Sequence, residues 1–186
     1  MEKLNENVIS CLKTDLKAKI LPLLINKVFH VTSEKRYTKI RETGVIKNNK
    51  DKKFKYTYAQ SENSYGRKRG YVCLVDLRNI SNELIEEMLM RYYFLMPTDW
   101  PPVFLILNEQ YYENIISWQV AAEEVSYKEM YVPHIECWYP EDIQISKISE
   151  ILKISIIKSP VNENPQTLSE IIIANHEKNL KDEEIE

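Results

Sequence analysis

Glycine is scarce: Gly44, Gly66 and Gly70 are the only three in the chain, all within its first half. Glycine-rich phosphate cradles need glycine so that backbone N–H groups can approach the phosphates, and neither GxGxxG nor GxxxxGK[ST] occurs. Cysteine is equally sparse. Cys11, Cys73 and Cys137 are odd in number and lack metal-ligand spacing. Cys73 and Cys137 stand inside apolar strand patterns, where free thiols are ordinarily buried. The three histidines form no HxxxH, and CxxC and CxxH are absent. A zinc site asks for about three protein ligands, so no metal is expected. GxSxG, the nucleophile elbow of one large hydrolase class, is missing. No carboxylate cluster suited to Mg²⁺-assisted phosphoryl transfer is visible. Apolar runs never approach membrane-spanning length. Residues 1–20 are broken by Glu2, Glu6, Lys13, Asp15, Lys17 and Lys19, unlike a signal peptide. The expectation is a cytoplasmic protein with no membrane partner.

What is present suits a globular chain. Hydrophobic residues make up 44% and charged residues 28%, the balance of a folded domain. Twelve Tyr and three Trp are enough to build a core and line a pocket. A length of 186 residues fits one domain with an appended helical piece. The net charge of -3 conceals a segregation. Residues 35–69 carry twelve Lys/Arg against three Asp/Glu, and residues 70–186 carry eight against twenty-one. The basic stretch is either a solvated loop or a lobe facing an anion such as nucleic acid or a nucleotide phosphate.

Apolar residues at 4, 8, 9, 12, 16, 20 and 21 have helical spacing, which predicts an amphipathic N-terminal helix within residues 1–26, ended or kinked by Pro22. Residues 27–31 predict a short strand. Thr32 or Ser33 then caps a helix with Tyr37 and Ile40 inward, stopped at Gly44. Residues 56–60 form a further candidate strand, and 61–70 a glycine-marked loop. Residues 71–77 and 103–107 are nearly continuous in apolar residues and predict buried strands. Residues 80–93 predict a helix, and Asn108 the cap of another. Residues 118–130 are ambiguous, with Glu123 and Glu124 expected to be exposed. Residues 148–157 fit a strand or a buried helix. The core is expected over 27–158, with a C-terminal helix and acidic tail over 159–186.

Residues 132–148 carry the chemistry-bearing pattern. Residues 134–139 read as a strand, which sends alternate side chains to opposite faces. His134, Glu136 and Trp138 would then share one face, as a solvated edge or as the wall of a cleft centred on Glu136. A Pro140 turn and Ile143 and Ile148 follow. Upstream, His30 and Thr32 form a His-x-Thr element at a strand end, followed by Ile40, Gly44 and Val45. In this order the motifs resemble the ADP-ribosyltransferase superfamily, nearest to bacterial DNA-modifying toxins of the DarT type, over about residues 27–148. The pattern departs at Gln144, where the family often has Pro. The family's catalytic Arg is not placed; Arg67 and Arg69 are candidates by location alone.

The resemblance implies an α+β fold with an ADP-ribosyltransferase-like split β-sheet core and N- and C-terminal helices. It implies NAD as co-substrate, transfer to a nucleic-acid or protein acceptor, a toxin or defence setting, and a protein partner such as an antitoxin. Glu136 and Arg67 would be catalytic. His30, Thr32, Tyr37, Gly44, Tyr65 and Arg69 would line the NAD site, Tyr37 or Tyr65 stacking on nicotinamide and an Arg meeting pyrophosphate. The basic stretch over 35–69 would face the acceptor. The alternative is a non-catalytic nucleotide- or nucleic-acid-binding module on the same scaffold.

Overall fold

A computed structural model describes residues 4–51, 53–54, 62–91, 101–126 and 128–157. The expected strand over 56–60 and the C-terminal helix and tail over 159–186 lie outside the described residues.

The chain begins with a correction. The helical spacing over residues 4–12 folds as strand β1 (Asn5–Leu12). Asn5 and Asn7 are poor helix formers, whereas Val8 and Ile9 are β-branched. A long partner strand then decides the outcome: β1 runs parallel to β8 (Ile148–Ile157) along its whole length. Helical structure begins only at a 3₁₀ turn (Lys13–Asp15) and continues as α1 (Leu16–Leu24), which buries Leu16, Ile20 and Leu24 at a four-residue repeat and carries Pro22 within it.

Strand β2 (Val28–Ser33) leads into α2 (Glu34–Thr43). The Ser33 hydroxyl accepts from the Arg36 N–H, satisfying one free helix donor. Gly44 ends α2 in the left-handed conformation at φ 71°, which costs glycine little. The short β3 (Val45–Ile46) follows. A single helical turn, α3 (Tyr65–Arg69), replaces the expected loop. Ser64 caps it and Gly70 closes it at φ 75°, so both end signals were present in the sequence. Strand β4 (Val72–Asp76), α4 (Asn82–Arg91) and β5 (Pro102–Leu107) match their expected segments. Asn108 caps a 3₁₀ turn (Glu109–Asn114). The ambiguous stretch contains α5 (Trp118–Glu124), followed by β6 (Glu136–Tyr139), β7 (Ile143–Gln144) and β8.

The fold is mixed α+β. Six strands form one sheet in the order β1-β8-β5-β2-β4-β6, antiparallel except for the β1–β8 pair, and β3 and β7 form a small second sheet. Alternation along the strands sorts the core onto two faces. One face sets Phe29, Val75, Phe104, Ile106 and Leu152 against Leu16, Ile20 and Leu24 of α1 and Ile85 and Met88 of α4. The other sets Val28, Leu74, Leu105, Cys137 and Ile151 against Tyr37 of α2 and Ile46 and Ile143 of the small sheet. A third cluster joins Trp138 of β6 to Tyr65 of α3 and Ala121 of α5. Among the described residues, no helix is long and apolar enough to cross a membrane.

Candidate active site

The strands carrying His30 and Glu136 flank the same strand, β4. The β2–β4 ladder is short. Leu77 N–H donates to the Lys27 carbonyl (3.0 Å), and residue pairs follow at Val28–Asp76 and Phe29–Val75. The β2–β4 pairing stops there, although β2 continues against β5 through Ser33. In this register the next rung would set Val31 against Cys73. Instead, the Cys73 carbonyl lies 2.9 Å from His30 Nδ1. The imidazole thus sits at the fork where β2 and β4 part. A carbonyl can only accept, so Nδ1 carries the proton and Nε2 is left as an acceptor. Burial pushes the His30 pKa below its ordinary value, against the Cys73 contact, which raises it. The ring is therefore neutral at neutral pH.

Glu136 opens β6 and is buried, with 5% of its surface exposed. Its Oε2 accepts the Val132 N–H at 2.7 Å and its Oε1 accepts the Cys73 thiol at 3.2 Å. Its own N–H donates to the Val132 carbonyl (3.0 Å). The carboxylate therefore clamps the turn that precedes its strand. Burial raises its pKa, and the Val132 N–H, the Cys73 thiol and the Trp138 indole oppose that rise by favouring the carboxylate. Trp138 is fully buried, and its indole N–H has no acceptor in hydrogen-bonding geometry.

Cys73 therefore touches both candidates, with its carbonyl on His30 and its thiol on Glu136. The two side chains nevertheless leave the sheet on opposite faces. Glu136 stands opposite Val75 of one core face, and His30 opposite Leu105 of the other. The expected His134–Glu136–Trp138 face also needs correction. His134 precedes the strand, in the turn, at φ 71°, and its exposed ring packs on Trp118 at 4.5 Å between centroids. Once the Glu136 carboxylate binds Val132, the chain reverses at His134 and cannot extend the strand.

The other expected site residues do not gather around this pair. Thr32 is buried in β2 opposite Val103, on the His30 side. Tyr37 is a core residue whose hydroxyl donates to Glu6 (2.9 Å), and burial raises its pKa. Tyr65 is likewise buried, donating to Glu124 (2.6 Å) and packed on Trp138 at 4.6 Å. In this arrangement neither ring offers a face to nicotinamide. Gly44 is the α2 stop. Arg69 lies over the Tyr65 ring at 3.7 Å and pairs with Glu129 (3.0 Å) and Glu124 (3.7 Å), so its charge is spent within the fold. Arg67 donates to the Phe54 carbonyl (3.0 Å). It belongs to α3, which seats Gly66 on Trp138, two positions along β6 from Glu136.

The basic stretch is partly neutralised. Lys47 pairs with Asp142, Lys53 with Asp51 and Lys68 with Glu129. Lys35, Lys39 and Lys50 are exposed. Two open concavities, of about 400 and 420 Å³, are lined by Glu34, Tyr37, Arg41 and Lys153 and by Lys17, Leu21, Pro22 and Glu86 respectively; neither includes His30 or Glu136. Among the described residues, no group of three His, Cys, Asp or Glu is arranged to hold a metal. Comparison with protein-family models, curated proteins and solved structures found no significant match.

Sequence reasoning missed Cys73. An isolated cysteine in an apolar strand reads as core, and its two contacts exist only across three strands. The signal was the pairing itself: once β4 is placed between β2 and β6, Cys73 falls beside both candidates.

Proposed function

We propose that the chain is an NAD-dependent ADP-ribosyltransferase built on a split-sheet scaffold, with Glu136 as the catalytic carboxylate and His30 as an NAD contact. The observation that carries this reading is the fork in the sheet at His30, with Glu136 on the next strand but one and Cys73 touching both. Cleaving a nicotinamide–ribose bond passes through an oxocarbenium-like ribose, as glycoside cleavage does. A carboxylate on a rigid strand, in a poorly solvated place, stabilises that charge strongly. A neutral imidazole with Nε2 as acceptor suits a ribose hydroxyl. Because the two groups lie on opposite faces, a substrate meeting both would cross the fork between β2 and β4. The acceptor is a nucleic acid or protein, drawn to the exposed lysines of the 35–69 stretch in a toxin or defence setting.

A second reading, a non-catalytic nucleotide- or nucleic-acid-binding module, is favoured by the commitment of Tyr37, Tyr65 and Arg69 to internal contacts. The two separate in one experiment. The full chain and Glu136→Ala are incubated with NAD and single-stranded DNA, and nicotinamide release is followed. Transferase activity predicts release by the parent and a loss of at least about a hundredfold in the variant. Equal rates would remove Glu136 from catalysis. Steeply salt-dependent DNA binding without nicotinamide release would select the second reading.

A further inference from the structure

We propose that Cys73 is the positioning residue of this site, fixing one oxygen of Glu136 through its thiol and the imidazole of His30 through its carbonyl. The proposal rests on the ADP-ribosyltransferase reading. It stands on two contacts made by one residue to two different strands, at 3.2 Å and 2.9 Å.

The two halves are separable. The carbonyl contact belongs to the backbone and survives any substitution. The thiol contact belongs to the side chain alone. Glu136 Oε2 is held by the backbone N–H of Val132, so Oε1 is the oxygen that a side chain controls. Losing the thiol proton would leave that oxygen buried with one donor fewer, which disfavours the carboxylate. Serine keeps a donor at this position; alanine and valine do not. The groups facing Glu136 are the Cys73 thiol from β4, the Val132 N–H from its own turn and the Trp138 indole from β6; Cys137, the next residue of β6, points to the opposite core face. The Val132 N–H is not touched by these substitutions; Trp138, directly opposite Cys73 on β6, is the neighbour they can disturb, so the serine variant separates loss of the donor from altered packing.

The test compares the full-length parent with Cys73→Ala, Cys73→Ser and Cys73→Val. One readout is the titration of the Glu136 side-chain carboxyl by ¹³C NMR, assigned by its loss in Glu136→Gln. The other is the steady-state kinetics of NAD consumption. In Cys73→Ala the titration midpoint is expected to move to higher pH, with serine restoring the parent value. The same variant should lose about tenfold in kcat, with KM for NAD within about twofold, because Cys73 acts through Glu136 and not on substrate. Valine, which fills the thiol's space without a donor, should behave as alanine does and stands in for it if alanine fails to fold. Identical titrations in all four proteins would overturn the proposal, as would a serine variant as impaired as alanine. If none of the proteins consumes NAD, the transferase reading falls, and the titration alone still decides whether Cys73 controls Glu136.

Discussion

Replacing Gly66 by alanine sets two opposed effects against each other. In a helix alanine is preferred over glycine by up to about 1 kcal/mol. At Gly66 the added Cβ would stand 2.2 Å from Trp138 Cδ1 and 2.4 Å from Trp138 Nε1, well inside van der Waals contact. The indole has little room to retreat. It is fully buried, packed on Tyr65 at 4.6 Å and on Tyr131 at 6.4 Å. Its strand is also pinned by backbone hydrogen bonds in both directions with Ile116. Overpacking of this kind costs about 1–3 kcal/mol, and a single-turn helix recovers little propensity, so we expect a net loss of about 2 kcal/mol. For a chain of this size that lowers Tm by roughly 4–8 °C. Urea unfolding followed by far-ultraviolet circular dichroism measures the loss without mixing signals from three tryptophans. The cause is isolated in a Trp138→Leu background, where the alanine should cost at least about 1 kcal/mol less. Equal cost in both backgrounds, or a Gly66→Ala protein as stable as the parent, would refute the steric argument.

Gly44 and Gly70 both adopt positive φ, but a Cβ at Gly70 would meet the Lys50 backbone at 2.3 Å, whereas one at Gly44 would meet no described residue within 4 Å beyond its chain neighbours. Gly44→Ala should therefore cost only the left-handed penalty of about 1–2 kcal/mol, with Gly70→Ala clearly worse; a reversed order in chemical unfolding would contradict the geometry. Glu136 has a folded pKa raised by burial above its unfolded value of about 4.3. Its contribution to stability is fully present below about pH 4 and is lost as pH rises through the folded pKa. The stability of the parent relative to Glu136→Gln should fall across that interval in urea titrations, and a difference that stays flat from pH 4 to 8 would count against the buried carboxyl.

Local rules made much of the fold legible. The Ser33 cap, the Gly44 stop and the two apolar strands at β4 and β5 each follow from a few neighbouring residues. The first strand did not, because residues 4–12 satisfy a helical spacing by themselves and become a strand only beside β8. His134 was misplaced for a related reason. Alternation predicts a strand, but a side-chain clamp from Glu136 onto Val132 reverses the chain first. In the site, His30 and Glu136 stood out as residue types at strand positions. The roles assigned to Tyr37, Tyr65 and Arg69 depended on partners distant in sequence: Glu6 for the first, Glu124 and Glu129 for the others. No local pattern announces such pairings.

The parallel pairing of β1 and β8 also sets an order on synthesis. Asn5 lies opposite Glu150, so a ribosome must add 145 residues after Asn5 before its rung can close. At about 5–20 residues per second, that interval is on the order of ten seconds. Throughout it, an eight-residue strand bearing Val8 and Ile9 has no template. It is then an unpaired edge of the kind that invites foreign strands. The rest of the sheet closes over shorter spans, so completion of this outer pair should be the late, topology-limited event in folding. A chaperone that shields the nascent segment would act on residues 5–12, at the sheet edge opposite β6, and still govern how much folded protein the cell obtains.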